Sequence, residues 1–206
     1  AAGGGLLIVA VILTAVNLRP AITSVGPLLG EMRGSLGASA TWAGLVTTLP
    51  GLCFAAAGLG APWLSQRIGL GRAISLALAV LSVGLVVRVL DGPHVVIGGS
   101  LVALAGIALI NVLIPVVIKG SFPTRIGLMT GIYTAALQGG GALGSAMTPW
   151  LDDVLGGWRA ALGSWAAIAV FALALWMLGA RDISTARIEE TSAASGERSL
   201  LRSRLA

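Results

Sequence analysis

The sequence predicts an all-α membrane protein in which six transmembrane helices form two inverted three-helix repeats. Three observations carry that expectation. Hydrophobic residues make up 56% of the 206 positions and charged residues only 10%, with a mean hydropathy of +0.96, a balance that places the chain in the membrane class. Apolar stretches long enough to cross a roughly 30 Å hydrocarbon core recur along the chain, separated by short polar breaks. Gly71-Arg72-Ala73 opens the third stretch and Gly157-Trp158-Arg159-Ala160 opens the sixth, from opposite sides of the membrane, which is the pattern of an inverted-topology repeat.

The first span runs from Leu6 to about Met32 and contains NLRPAITSVGP, Asn17 to Pro27. Arg19 lies about 13 residues beyond Leu6, roughly 20 Å along a helix, near the centre of the hydrocarbon core. An arginine at that depth costs about 2.5 to 3.5 kcal/mol on insertion scales, so it persists where it faces a wet cavity or a partner. Pro20 and Pro27 each remove a backbone donor, so the helix is expected to bend near both and to turn freed carbonyls towards the cavity. The alternative is that Arg19 pairs with a carboxylate or a carbonyl cluster only to hold helices together. No other span carries an acid at similar depth.

The remaining spans follow in order. Thr41 to Leu64 is rich in Gly and Ala and interrupted by Pro50, and Ser65 to Arg72 is a basic, Gly-punctuated turn. Ala73 to Leu90 is almost purely aliphatic and is expected to face lipid. Asp91 to His94 turns the chain into Val95 to Ile118, polar only at Ser100 and Asn111 and broken near its end by Pro115. Gly127 to Leu151 holds the run QGGGALGS, where Gly140 with Gly144 and Gly141 with Ser145 have the small-xxx-small spacing of close helix packing. That run has no Gly-Lys-Ser ending and no flanking strand, so it is not a phosphate loop. Trp158 to Gly179 is the sixth span. Residues 1–180 thus form one transmembrane domain, and 181–206 a basic cytoplasmic linker carrying Arg181, Arg187, Arg198, Arg202 and Arg204.

An even number of spans leaves both ends on one side. Arg67, Arg72, Lys119, Arg125 and the linker arginines gather there, against Arg33, Arg88 and Arg159 opposite, so the positive-inside rule makes both ends cytoplasmic. Trp42, Trp63, Trp150, Trp158 and Trp176 fall near span ends, as expected of interfacial rings, and Trp165 is expected to pack inside. The basic residues are scattered over short breaks and a tail rather than gathered on one face, which argues against a nucleic-acid partner. Cys53 and His94 are single residues of their kinds, so neither a disulfide nor a metal site is expected, and no cofactor. The first apolar stretch continues through Arg19 without a small-residue cleavage site, so it is no signal peptide. A missing initiator methionine and the end at Ala206 lead us to expect a fragment.

NLRPAITSVGPLL in the first span, the basic second turn, and KGSFPTRIGLMTGIYTAALQGGGALGSAMTPWL from Lys119 to Leu151 resemble the major facilitator superfamily, and within it the cyanate and 2-nitroimidazole transporter family. The resemblance covers essentially the whole chain as the N-terminal six-helix half. In the loop signature between the second and third helices, Leu64, Arg67 and Gly69 match, while Pro62 and Gln66 stand where the family has glycine and aspartate. The loop motif is therefore Gln66, Arg67, Gly69 and Arg72 without its acidic member. The resemblance implies a bacterial inner-membrane transporter of twelve helices, with a second six-helix half after Ala206 as the partner and substrate held at the midplane between halves. It also implies that helices one, two, four and five line the cavity or the inter-half surface, while three and six face lipid.

A cavity arginine is a permanently charged planar donor suited to a small anionic or strongly polar solute, cyanate-like or nitroimidazole-like. Asn17, Thr23, Asn111, Tyr133 and Gln138 could add neutral hydrogen bonds to substrate; the alternative for each is a helix-to-helix bond worth about 0.6 kcal/mol. No carboxylate lies deep in a span, since Glu31, Asp91 and Asp152 sit at ends, so a coupling proton would need the second half or a protonated substrate. Export of a drug or metabolite by the same architecture is the alternative direction. An intramembrane serine protease would need a histidine base inside the membrane, and His94 sits in a turn, so no catalytic residue and no enzyme is expected. A channel or structural bundle is the third class, distinguished by ohmic rather than saturable flux.

Overall fold

The computed structural model describes residues 2–178, and among these every regular element is a helix. The first span comprises α1 (Ala2–Leu18), the single turn α2 (Pro20–Thr23) and α3 (Val25–Ser35). Then come α4 (Ala40–Ile68), α5 (Leu70–Val87), α6 (Pro93–Ser121), α7 (Ile126–Leu155) and α8 (Trp158–Leu178). The basic linker expected at 181–206 lies outside the described residues.

Proline acts differently here from the expectation. The first span is interrupted at Arg19, just before Pro20, and again at Ser24, between the two prolines, where it bends by 41°. The Pro27 ring stands against the carbonyl of Thr23, one helical turn back, and offers it no N–H, which is where the ladder breaks. Pro50 and Pro62 in α4, Pro115 in α6 and Pro149 in α7 lie inside helices that continue through them. Packed neighbours in a bundle re-satisfy the backbone groups such prolines free. The turns are sharp because glycine permits them. Gly69 joins α4 to α5 at φ 85°, and Gly156 ends α7 in the left-handed conformation with its N–H on the Asp152 carbonyl.

By length and composition α4, α5, α6 and α8 can each cross a membrane, and the bent first span makes a fifth. Helix α7 is long enough at 30 residues, but its glycine run and polar side chains make it less apolar than the rest, as fits a helix seated on protein rather than lipid. The most extensive pairings are α5 with α6, α4 with α6, and α1 with α7. The last two are the pairs that exchanging the first three spans for the last three would interchange, second with fourth for fifth with first.

The third span does not simply face lipid. Ala73, Ile74, Ala77, Leu78, Leu81 and Leu85 of α5 are buried against α6, while Leu76, Val83 and Val86 point outward. Close approach makes that seam: a methyl on Gly84 would stand 2.6 Å from Ala103 Cα, and one on Gly106 would stand 2.7 Å from the Leu81 nitrogen. The tryptophans are also redistributed. Trp42 donates to the Pro93 carbonyl at 2.8 Å and Trp158 to Ser35 Oγ at 2.9 Å, tying one end of the bundle around Leu28, Met32 and Val96. Trp176 is buried beside the Gly71 carbonyl, so of the five expected interfacial rings only Trp63 and Trp150 are exposed. Arg159 completes the first tie through an ion pair with Asp91 at 2.7 Å.

Candidate functional site

The seam between α1 and α7 positions the candidate site. Pro20 has no N–H to offer the Val16 carbonyl, and Gly140 packs directly on that carbonyl, leaving no room for a side chain. One turn on, a methyl on Gly144 would stand 2.6 Å from both Pro20 Cα and Thr23 Oγ1. Gly141 lies beside this row, and the stem of Arg19 passes over it, with Arg19 Cβ 3.3 Å from where a methyl would stand. Thr148 extends the row and accepts the Trp165 Nε1–H at 3.1 Å.

Arg19 itself is exposed, with its guanidinium on the open face of the bundle and no carboxylate paired with it among the described residues. Tyr133 lies two turns before Gly140 on the same face of α7. The Tyr133 hydroxyl donates to Asn111 Oδ1 at 3.1 Å, and Asn111 Nδ2 donates to the Ile107 carbonyl at 3.0 Å, so the amide is held in one orientation and the phenol oxygen keeps its lone pairs for a ligand donor. Gln138 is exposed, one turn from Gly141, and makes no side-chain hydrogen bond among the described residues. The structure joins Tyr133 to Asn111 by a hydrogen bond and sets the stem of Arg19 on Gly141, one turn from Gln138.

Two expected ligand residues do not join them. Thr23 Oγ1 donates to the Gly141 carbonyl at 3.0 Å and lies 3.1 Å from the Arg19 carbonyl, so its hydroxyl is committed to the helix seam. Asn17 is 1% exposed and lies about 200° around the helix from Arg19, so it cannot face the same opening. Ser145 is likewise corrected: it is exposed rather than packed, because the seam follows the Gly140, Gly144, Thr148 row and the residue after Gly144 turns about 100° away. In the loop motif, Gly69 makes the turn, Arg67 stacks over Trp63 at 4.8 Å, and Gln66 and Arg72 are exposed. Those four residues form no ion pair among the described residues.

Arg88 was missed as a site residue. The expectation counted it in an outward break, whereas it is 2% exposed and bonded to the first span. Its flanks, Val86, Val87, Val89 and Leu90, are as apolar as those that singled out Arg19, and that was the available signal.

Comparison with known proteins places this geometry in a family. Residues 6–205 match the family model described as Major Facilitator Superfamily. The cyanate transport protein CynX of Escherichia coli (strain K12) is 36% identical over 188 residues, 90% of this chain and 49% of that protein. An uncharacterized transporter of Bacillus subtilis (strain 168), YycB, is 38% identical over 87% of this chain and 45% of its own length. The 2-nitroimidazole transporter of Escherichia coli (strain K12) is 36% identical over 97% of this chain and 51% of its own. The chain thus spans about half the length of these relatives, all three named as transporters and none as an enzyme.

Proposed function

The chain belongs to the Major Facilitator Superfamily, and we propose that it forms the first half of a transporter carrying a small anionic or strongly polar solute across a bacterial inner membrane by alternating access. The observation that carries this is Arg19, an exposed arginine in the middle of the first span with no carboxylate partner among the described residues and its stem seated on Gly141; Tyr133, Asn111 and Gln138 are the polar side chains we assign to its surroundings. Its planar fork suits a solute with two acceptor atoms, and the tyrosine and amides complete a polar shell around it. Cyanate and 2-nitroimidazole, named for two relatives, are the first solutes to try. A second six-helix half would close the other side of the opening, and both ends of this chain would lie in the cytoplasm by the arginine asymmetry.

Moving an anion into an inside-negative cell costs about 2.3 kcal/mol per charge per 100 mV, so import needs a driving ion, exchange or a protonated solute. Glu31, Asp91, Asp152 and Asp153 all sit at span ends, which leaves a coupling proton to the second half. Equilibrium binding of cyanate and of 2-nitroimidazole to the purified protein, wild type against Arg19→Ala, tests the proposal. Saturable binding of either that is lost in the variant at an unchanged melting temperature is expected. Equal affinity in both proteins would overturn it.

A further inference from the structure

Arg88 follows the last residue of α5, yet its side chain turns into the bundle rather than out to water. Nη1 donates to the Ala21 carbonyl at 2.6 Å, in the last turn before the break at Ser24. Nε and Nη2 are buried with no hydrogen-bond partner among the described residues. These are the two parallel donors along one edge of the guanidinium, the edge that grips paired acceptor atoms. No carboxylate pairs with Arg88 among the described residues, and arginine cannot escape burial by giving up its proton. An uncompensated charge in such a place calls for a counter-charge.

Beside it lies a cavity of about 160 Å³, well above the roughly 10 to 15 Å³ that admits one water. Arg88 is the only charged residue in its wall, Ser100 and Thr47 are the other polar ones, and Ile22, Val46 and Leu104 are among the apolar remainder. Ala21 and Ile22 form the wall on the first span, and Ala21 lies about 200° around the helix from Arg19. The two arginines therefore flank that span on opposite sides.

We propose that Arg88 and this cavity form a second anion site, one that takes a small planar or linear monoanion, such as a carboxylate or cyanate, on the Nε and Nη2 edge, with the Ser100 hydroxyl as a further donor. The Ala21 bond fixes the guanidinium in the cavity wall, and because Nε and Nη2 are fully buried there, an anion entering the cavity reaches them by displacing the neighbours that cover that edge. The site does not depend on the role of Arg19. A side-chain carboxylate from elsewhere in a longer protein has the same chemistry, and the test separates the two sources.

The full chain, labelled at arginine with nitrogen-15 and held in lipid nanodiscs, is titrated with acetate and with cyanate against chloride at constant ionic strength. In an Arg19→Ala background, one Nε–H resonance, identified by its absence from Arg88→Lys, should shift saturably with acetate or cyanate, and the anion should raise the melting temperature. Arg88→Gln should abolish both responses. Arg88→Lys, which keeps the charge but not the fork, should bind at least ten-fold more weakly, and Ser100→Ala, which leaves the Ala21 bond intact, should weaken binding by a smaller factor. A resonance that does not move with either anion, as a resident side-chain carboxylate would produce, overturns the proposal, as does wild-type affinity in Arg88→Gln. Unchanged total binding in Arg19→Ala would remove Arg19 as an anchor and leave the Arg88 site standing.

Discussion

Arg19 rests on Gly141: the aliphatic stem of the arginine crosses α7 beside the seam at a position where the helix has no side chain. The guanidinium is aimed by that contact rather than by a salt bridge. Gly141→Ala would place its methyl 3.3 to 3.7 Å from the stem, a crowding that a flexible side chain absorbs with a small shift. A branched Gly141→Leu side chain occupies the path of the stem itself. Solute affinity should therefore fall modestly in Gly141→Ala and by roughly ten-fold or more in Gly141→Leu, where the charge-assisted bond worth about 1.5 to 3 kcal/mol is misaligned. Equal affinity in wild type and Gly141→Leu would show that the stem contact does not aim the charge.

Arg19→Lys separates charge from shape. An ammonium retains the positive charge but offers no fixed pair of parallel donors, so binding should survive and weaken, between wild type and Arg19→Ala. Loss in Arg19→Ala should be roughly 10- to 150-fold. Titration calorimetry on the three proteins, with melting temperatures measured alongside, checks the order; a lysine variant as tight as wild type would mean that only long-range charge matters.

Much of this arrangement was legible in the sequence, for reasons that particular residues make plain. Span positions follow from apolar length, and helix ends differ by a few residues, outward at α4, which continues to Ile68 because Arg67 and Gln66 can lie on its exposed side, and inward at α5, which ends at Val87. Arg19 was conspicuous because a charge at midspan has no ordinary explanation. The partners of a residue, in contrast, depend on rotation about the helix and on long-range packing. Asn17 shares a segment with Arg19 but not its face, Thr23 shares the face but spends its hydroxyl on backbone carbonyls, and nothing local says that Arg88 folds towards Ala21 or that Trp42 reaches Pro93, 51 residues away.

The seam itself should be the most fragile part of the first repeat's contact with the second. Gly140 meets the Val16 carbonyl and Gly144 meets Pro20, both backbone atoms that cannot step aside. Gly144→Val should lower stability by about 1 to 3 kcal/mol or more, the usual cost of overpacking a fitted interface. Ser145→Val, one residue along and exposed, should change it little. Thermal unfolding in a single detergent compares the two, and equal losses would place the seam elsewhere.

Orientation can be read with single cysteines after Cys53→Ser. Ser121 closes α6 near Lys119 and is exposed, and Ser65 lies beside Arg67; both should react with an impermeant maleimide from the cytoplasmic side only. His94 is the suitable probe for the other side, since Gly92 has φ 103° and would strain any side chain. Labelling of Ser121 in intact cells would reverse the proposed topology.

The exposed faces of α4 and α7 suggest what this chain does alone. Leu52 at 67%, Leu59 at 86% and Trp63 at 58% exposure stand along α4, and Leu128, Leu143 and Trp150 along α7, far more than the core-facing α6 shows. Lipid can cover such faces, but the opening at Arg19 then has only one wall, and alternating access needs two units that rock against each other. Reconstituted by itself, the chain should fold as a helical bundle and show no saturable uptake of cyanate or 2-nitroimidazole. Supplying the complementary half of a full-length homologue as a separate polypeptide should restore flux if the inter-half surface is the one presented by α4 and α7. Saturable counterflow by the chain alone would instead mean that two copies close the opening, and cross-linking between cysteines placed on α7 would then trap that dimer.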